Sequence, residues 1–301
     1  MFAQYFGQFL FNHALVTGAE LESAMIAQKE TRVKLGVLAI NHSHMTSDQV
    51  ETVQIAQMRV DKKFGEIAVE LGFLTEELVN TLLSSQKSAH LILGQTLIDQ
   101  GVLSYEAFAE ALNKYKQEYS LSDEQFNLIV NGNIETLLEA VLSKGGFTEQ
   151  DALSDYISLF AKSLIRFVDS NIRLELISIE EKVAYDWVAQ QAILSGDHSG
   201  SRITAIGGSE AAFLQLASMY AQESIEEPDE MMKASVGEFL NLHNGIYLVN
   251  RSNDGVELDM LPQTVTQQDE LVANTPITAV IRIIGAYFTC DLLISDLREL
   301  A

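Results

Sequence analysis

Four glycines, Gly7, Gly36, Gly65 and Gly94, recur at intervals of 29 residues. A strict phase constrains a fold more than any single motif, because each period must be one supersecondary unit burying its apolar face against its copies. Aligned on these glycines, the units read "YFGQFLFNHALVTGAELESAMIAQ", "KLGVLAINHSHMTSDQVETVQIAQ", "KFGEIAVELGFLTEELVNTLLSSQ" and "ILGQTLIDQGVLSYEAFAEALNKY". An apolar residue (Phe6, Leu35, Phe64, Leu93) precedes each glycine, and Thr17, Thr46, Thr75 or Ser104 follows ten residues after it. Gln28, Gln57 and Gln86 close the first three units. Each unit reads as a short helix, a turn and a longer helix, with Thr75 and Ser104 as N-caps of the second helix. Gly72 and Gly101 supply the turn in units three and four. Ala14 and Ser43 hold that place in units one and two, so those turns must form without glycine. The expectation is an all-α domain over residues 1–118, made of four two-helix units.

The pattern of apolar residue and glycine, a second glycine seven on, "LT" or "LS", and a closing Gln resembles the N-terminal domain of type II secretion and type IV pilus ATPases. In part of that family, tandem copies of the motif bind cyclic di-GMP, and the 29-residue phase matches their spacing. The family's binding motif begins with Arg, whereas these units begin with Tyr5, Lys34, Lys63 and Ile92. Lysine is a point charge and does not reproduce the planar, bidentate, stacking guanidinium. Weak or absent cyclic di-GMP binding is therefore expected, and a structural or protein-docking repeat is the alternative. No G-x-x-x-x-G-K-[ST] sequence occurs, so the ATPase activity of that family is not expected.

Composition narrows the remaining classes. The formal charge of −23 argues against a nucleic-acid binder, and it is uneven. Residues 1–118 carry nine Lys/Arg and fourteen Asp/Glu, a net of −5; the remainder carries ten against twenty-eight, a net of −18. The single cysteine, Cys290, excludes an intrachain disulfide and any CxxC site. The opening "MFAQYFGQFLFNHALV" lacks a basic n-region and a small-residue cleavage site. No apolar run reaches the length of a membrane span. A cytoplasmic protein without membrane insertion is expected.

Residues 119–155 read as a helical connector broken at "NGN" and "KGG", with Ser122 and Thr148 as caps. A helix running to about Val168 enters the next domain. Beyond it the period shortens. "IRLELISI", "VAQQAILSG", "RITAIGG", "GIYLVNRS", "GVELDMLP", "ITAVIRIIG" and "AYFTCDLLIS" are strand candidates, interrupted by the helix "SEAAFLQLASMYAQES" and by "ASVGEFLNLHNG". Strand groups around a helix pair predict an α+β domain over residues 156–301, with helices on a largely antiparallel sheet. In "ASVGEFLNLHNG", Val236, Phe239, Leu240 and His243 share one helical face, while Glu238 and Asn241 are neighbours on another. Taken alone, that pair reads as a solvated polar stripe, with Gly245 as the helix C-cap.

The order of elements, with "EFLN" (Glu238-x-x-Asn241), "NGIYLVN", "ELDMLP" and the closing Gly285-to-Phe288 hairpin, resembles the CheX/CheC/FliY family of response-regulator phosphatases. In that family the Glu-x-x-Asn pair is catalytic, which identifies Glu238 and Asn241 as the candidate site. The resemblance implies that a phosphorylated CheY-like receiver is the partner and supplies the divalent metal, so that this chain needs no cofactor of its own. Asn241 would hold the attacking water, and Glu238 would bind the receiver's lysine. For that role both side chains must be exposed and unengaged. Two positions depart from the longer form of the family: Ala234 stands where it has Asp or Ser, and Pro262 lies 21 residues after Asn241, slightly closer than expected. A homodimer is a further implication of the resemblance. A non-catalytic adaptor for a receiver or secretion component is the rival reading.

Other constellations point less far. His42-x-His44 has metal-ligand character but no evident third ligand. No G-x-S-x-G elbow accompanies the serines and histidines. "GDHSG" (196–200) reads as a hairpin turn, "IEEPDE" (225–230) as an acidic turn, and Trp187 as a packing or interface residue.

Overall fold

The computed structural model describes residues 2–27, 32–60, 62–84, 89–146, 152–170, 172–177, 184–195, 201–267 and 277–296. They divide into two compact units, Met1–Ala140 and Val141–Ala301. The division falls within the segment read as a connector. Thr148 and the "GDHSG" turn lie outside the described residues, as do Gln28 and Gln86.

In the first unit, eight helices form four pairs: α1 (Phe2–Asn12) with α2 (Gly18–Ala27), α3 (Leu35–Asn41) with α4 (Ser47–Gln57), α5 (Phe64–Glu70) with α6 (Glu76–Ser84), and α7 (Ala89–Asp99) with α8 (Tyr105–Glu118). The four turns are copies of one another. Ala14, Ser43, Gly72 and Gly101 have φ of 54°, 57°, 73° and 73°. The next residue's N–H returns in each case to the carbonyl five back: Leu15 to Leu10, His44 to Ala39, Phe73 to Ala68 and Val102 to Leu97. This is the hydrogen bond that closes a Schellman helix end. Caps follow in the same phase. Thr46 and Gln49 form a capping box, Thr17 and Glu20 exchange equivalent bonds, and Thr75 and Ser104 accept from Leu78 and Ala107 N–H.

The phased glycines lie where helices touch. A Cβ at Gly7, Gly36, Gly65 or Gly94 would meet Leu21, Val50, Val79 or Phe108, the residue fourteen positions on in each unit. The contacts also show the spatial order. Helices α1 and α2 pack on α7, α3 packs on α5 through α8, and α4 packs on α5 and α8. Unit one therefore meets unit four, and units two and three meet each other. Leu93 lies against Gly7, and Phe64 and Leu35 lie reciprocally against Gly36 and Gly65. Helix α9 (Asp123–Val130), with its Ser122–Gln125 capping box, and α10 (Ile134–Lys144) follow.

The second unit is α+β. Helix α11 (Ala152–Phe167) leads into β1 (Arg173–Ile177), β2 (Trp187–Ser195) and β3 (Arg202–Gly208). Helices α12 (Glu210–Ala221) and α13 (Glu230–Asn253) precede β4 (Leu258–Met260), β5 (Thr264–Gln267), β6 (Ile277–Ile284) and β7 (Thr289–Asp296). The strands form one sheet in the order β1-β6-β7-β3-β2-β4, with β5 also beside β2, and every pairing is antiparallel. Helix α13 packs on α11, α12, β2, β4 and β5, so the middle of the longest helix lies over the β2 side of the sheet.

Two local expectations fail here. "GIYLVNRS" is not a strand, and Gly245 is not a C-cap: both lie inside the 24-residue α13. The buried positions Val236, Phe239, Leu240, His243 and Tyr247 keep the three-and-four helical spacing straight through Gly245. The helix ends at Asn253, eight residues later, and just beyond it Gly255 takes φ of 81° and Val256 N–H returns to Arg251.

Candidate functional site

Asp229, in the turn read as "IEEPDE", starts α13 by accepting from the N–H groups of Met231 and Met232. From there the 3.6-residue period sorts the side chains. Val236, Phe239, Leu240 and His243 are fully buried, with Phe239 edge-on to Phe160 and Tyr220. His243 belongs to this core. Its ring lies edge-on to Tyr156 and Phe160, and Nδ1 is 3.3 Å from Ser163 Oγ. Ser163 Oγ already donates to Leu159 O, so Nδ1–H donates to Ser163 and Nε2 is an unpaired lone pair. Burial pushes the His243 pKa down to about 3, which keeps the imidazole neutral.

Glu238, Asn241 and Asn244 are spaced three apart, and each step of three falls about 60° short of a full turn. The row therefore drifts from solvent into the core: Glu238 is exposed, Asn241 half-buried and Asn244 buried. Among the described residues Glu238 has no hydrogen bond or ion pair. It is near Tyr220, whose phenol is pushed up by burial first and by the Glu238 charge second. Glu238 meets the requirement of exposure and freedom. Asn241 meets it only in part. Its Oδ1 accepts from Gln191 Nε2 of β2 at 2.9 Å, while its Nδ2 has no partner among the described residues and is not a buried orphan.

The engagement of Asn241 belongs to a chain of amides that periodicity could not reveal. Tyr156 OH donates to Asn244 Oδ1 at 2.6 Å, and Asn244 Nδ2 donates to Gln191 Oε1 at 2.8 Å and to Thr204 Oγ1 at 3.2 Å. Gln191 Nε2 donates to Asn241 Oδ1 and, at 2.8 Å, to Leu261 O. Thr204 Oγ1 spends its proton on Gln191 O. Every polar side-chain atom of Gln191 and Asn244 is thereby satisfied, as buried amides require. Leu261 N–H also donates to Ala192 O, which docks the Leu261–Pro262 segment beside the site. The slightly shorter spacing from Asn241 to Pro262 is compatible with this docking. Gly237, next to Glu238, leaves room for Gln263 and Val265, which a Cβ would approach to 3.2 Å. Ala234 is exposed one turn before Glu238.

The remaining candidates resolve differently. Lys34 donates to Asp99 at 2.6 Å, which raises its pKa, and its backbone N–H donates to Gln95 Oε1. Tyr5, at the equivalent place in unit one, is buried. A 520 Å³ cleft in the first unit is edged by Asp48, Glu106 and Glu110 beside Lys116, an unfavourable field for a phosphate ligand. His42 and His44 stack with centroids 6.2 Å apart, and no group of three metal-ligating side chains occurs among the described residues. Trp187 is buried, with its Nε1–H donating to Glu210 and Lys233 over its ring. No described helix is long and apolar enough to cross a membrane.

No family model matches the sequence, and no curated protein does. Among solved structures, the chain is similar to a CheC-like superfamily protein from Shewanella sp. PV-4, at 16% identity and a TM-score of 0.41 over 49% of this chain and 98% of that one. It is similar to the chemotaxis protein CheX from Desulfovibrio desulfuricans at 14% identity and a TM-score of 0.39, over 48% of this chain and 97% of that one. A chain of the CheX–CheY–BeF3–Mg complex from Borrelia burgdorferi gives 13% identity and a TM-score of 0.40, again over 48% and 97%.

Proposed function

We propose that the second unit accelerates hydrolysis of the aspartyl phosphate on a CheY-like receiver domain. The observation that carries this reading is the pair on α13: an exposed Glu238 with no partner among the described residues, beside an Asn241 whose amide is held at one end and open at the other. Such a pair needs no protein nucleophile. The receiver brings the phosphoryl group, its divalent metal and a lysine, and Glu238 binds that lysine through a charge-assisted hydrogen bond. Asn241 holds a water in line with phosphorus. The water oxygen bonds to phosphorus as the phosphorus–oxygen bond to the aspartate breaks. The aspartate leaves as a carboxylate, and the proton of the water goes to inorganic phosphate. Catalysis is then mostly positioning.

A second reading is a non-catalytic adaptor that binds a receiver without hastening its decay. The hydrogen bond that commits Asn241 Oδ1 to Gln191 favours it, because part of the amide is spent within the domain. Decay of receiver phosphate with and without the full chain separates the two. A phosphatase shortens the lifetime catalytically, at substoichiometric amounts, whereas an adaptor leaves the lifetime unchanged or lengthens it.

A further inference from the structure

Resting on the phosphatase reading, we propose that Gln191 is a positioning residue that fixes which end of the Asn241 amide meets the attacking water, turning Oδ1 inward and Nδ2 outward. An isolated asparagine amide can present either end, since the two differ by a rotation of about 180°. Here the choice is imposed by a backbone carbonyl. Leu261 O can only accept, and it lies 2.8 Å from the Gln191 side-chain amide, so Gln191 must offer it Nε2. The second hydrogen of Nε2 then faces Asn241, and Oε1 is left to accept from Asn244 Nδ2. Asn244 in turn offers Oδ1 to the buried Tyr156 hydroxyl at 2.6 Å, so the whole row follows from the one carbonyl. Turning Asn241 over would set Nδ2 against Nε2, donor against donor. The reactive water therefore meets an N–H donor, and the orientation is set by β2 and the Leu261 carbonyl rather than by α13.

The test inverts the last link. In Gln191→Glu the carboxylate still accepts from Asn244 but cannot donate, so Asn241 rotates to offer Nδ2 inward. Two readouts are taken on the full chain. The first is proton exchange at the Asn241 side-chain amide by NMR, assigned by its loss in Asn241→Ala. Fast exchange with solvent is expected in the native protein and at least about tenfold slower exchange in Gln191→Glu. The second is receiver-phosphate hydrolysis: kcat is expected to fall about tenfold or more with KM within about twofold. Activity of this variant relative to the native protein should return as pH falls and the introduced carboxylate regains a proton to donate. Gln191→Met, which is of similar length and neither donates nor accepts at that point, frees the Asn241 amide from its lock and should move both readouts in the same direction by less. If Gln191→Glu fails to fold, Gln191→Met decides alone. Wild-type amide exchange in the variants overturns the proposal whatever the activity. Altered exchange in a protein whose native form has no phosphatase activity keeps the orientation claim and removes the function it serves.

Discussion

Left-handed backbone at Ala14 and Ser43 is the strongest residue-level mark of the repeat, because neither side chain favours φ near +55°. Their counterparts Gly72 and Gly101 meet no such resistance. Ala14→Gly and Ser43→Gly should each stabilise the protein by about 0.5–1 kcal/mol despite the greater freedom glycine gives the unfolded chain. A rise in the denaturant midpoint checks this; a fall would mean that the turns are not equivalent. The buried imidazoles of His90 and His243 give a pH prediction. Burial lowers both pKa values to about 3 from an unfolded value of 6.5. The stability they contribute is complete above pH 6.5 and declines as pH falls towards 3, by about 1.4 kcal/mol per pH unit for each histidine. Neither ring signal should titrate between pH 8 and 5 in NMR; titration of either near pH 6.5 would contradict its burial. Sequence made Glu238 and Asn241 legible, because a helical period places them off the apolar face. It could not show Gln191, Tyr156 and Thr204, which come from other elements and pair through amides and hydroxyls with no periodic signature. Asn244 was within reach, as the next step of the Glu238–Asn241 row, but its polarity hides its burial.

At the scale of elements, the helix starts at Thr75, Ser104 and Ser122 were readable because caps are local, whereas neither the Asp229 cap nor the end of α13 was. "GIYLVNRS" alternates apolar and polar residues well enough to pass for a strand, and glycine is a common helix stop. Packing over β2, β4 and β5 carries the helix through both signals. Gly245 is thus an ordinary mid-helix glycine, where an added methyl would have Met260 Cε as its nearest neighbour, at 3.9 Å. Gly245→Ala should stabilise by about 0.5–1 kcal/mol, the usual gain of alanine over glycine inside a helix. A loss of stability would restore the C-cap reading. Gly94→Ala should do the opposite, since its methyl would come within 2.3 Å of the buried Phe108 ring; a cost of about 1–3 kcal/mol in thermal or denaturant unfolding is expected. The 29-residue phase gave the number and make-up of the helix pairs. Their spatial order of one, four, two, three depends on which faces meet, and a repeat leaves those faces nearly identical in sequence.

At the scale of the whole molecule, one chain carries a helical-repeat unit and an α+β unit bearing the Glu238–Asn241 pair. Of the residues that open the repeat units, Lys34 is committed to Asp99 and Tyr5 is buried. Calorimetry with cyclic di-GMP should accordingly detect no submicromolar binding, and a submicromolar value would mean that Lys34 and Lys63 replace the absent arginines. The acidic excess after residue 118 belongs to the half bearing the candidate site and suits the approach of a basic partner surface. In the proposed reaction, Asn241 positions water on a receiver phosphate that Glu238 helps to engage. Its most direct test is the decay of receiver phosphate in the presence of the native chain, Asn241→Ala and Glu238→Ala. The native chain should accelerate decay. Asn241→Ala should lose about 100-fold of that rate, about 2.7 kcal/mol, with receiver binding retained, and Glu238→Ala should weaken binding as well. A native chain that leaves receiver phosphate untouched, or an Asn241→Ala variant as fast as the native chain, would contradict the claim.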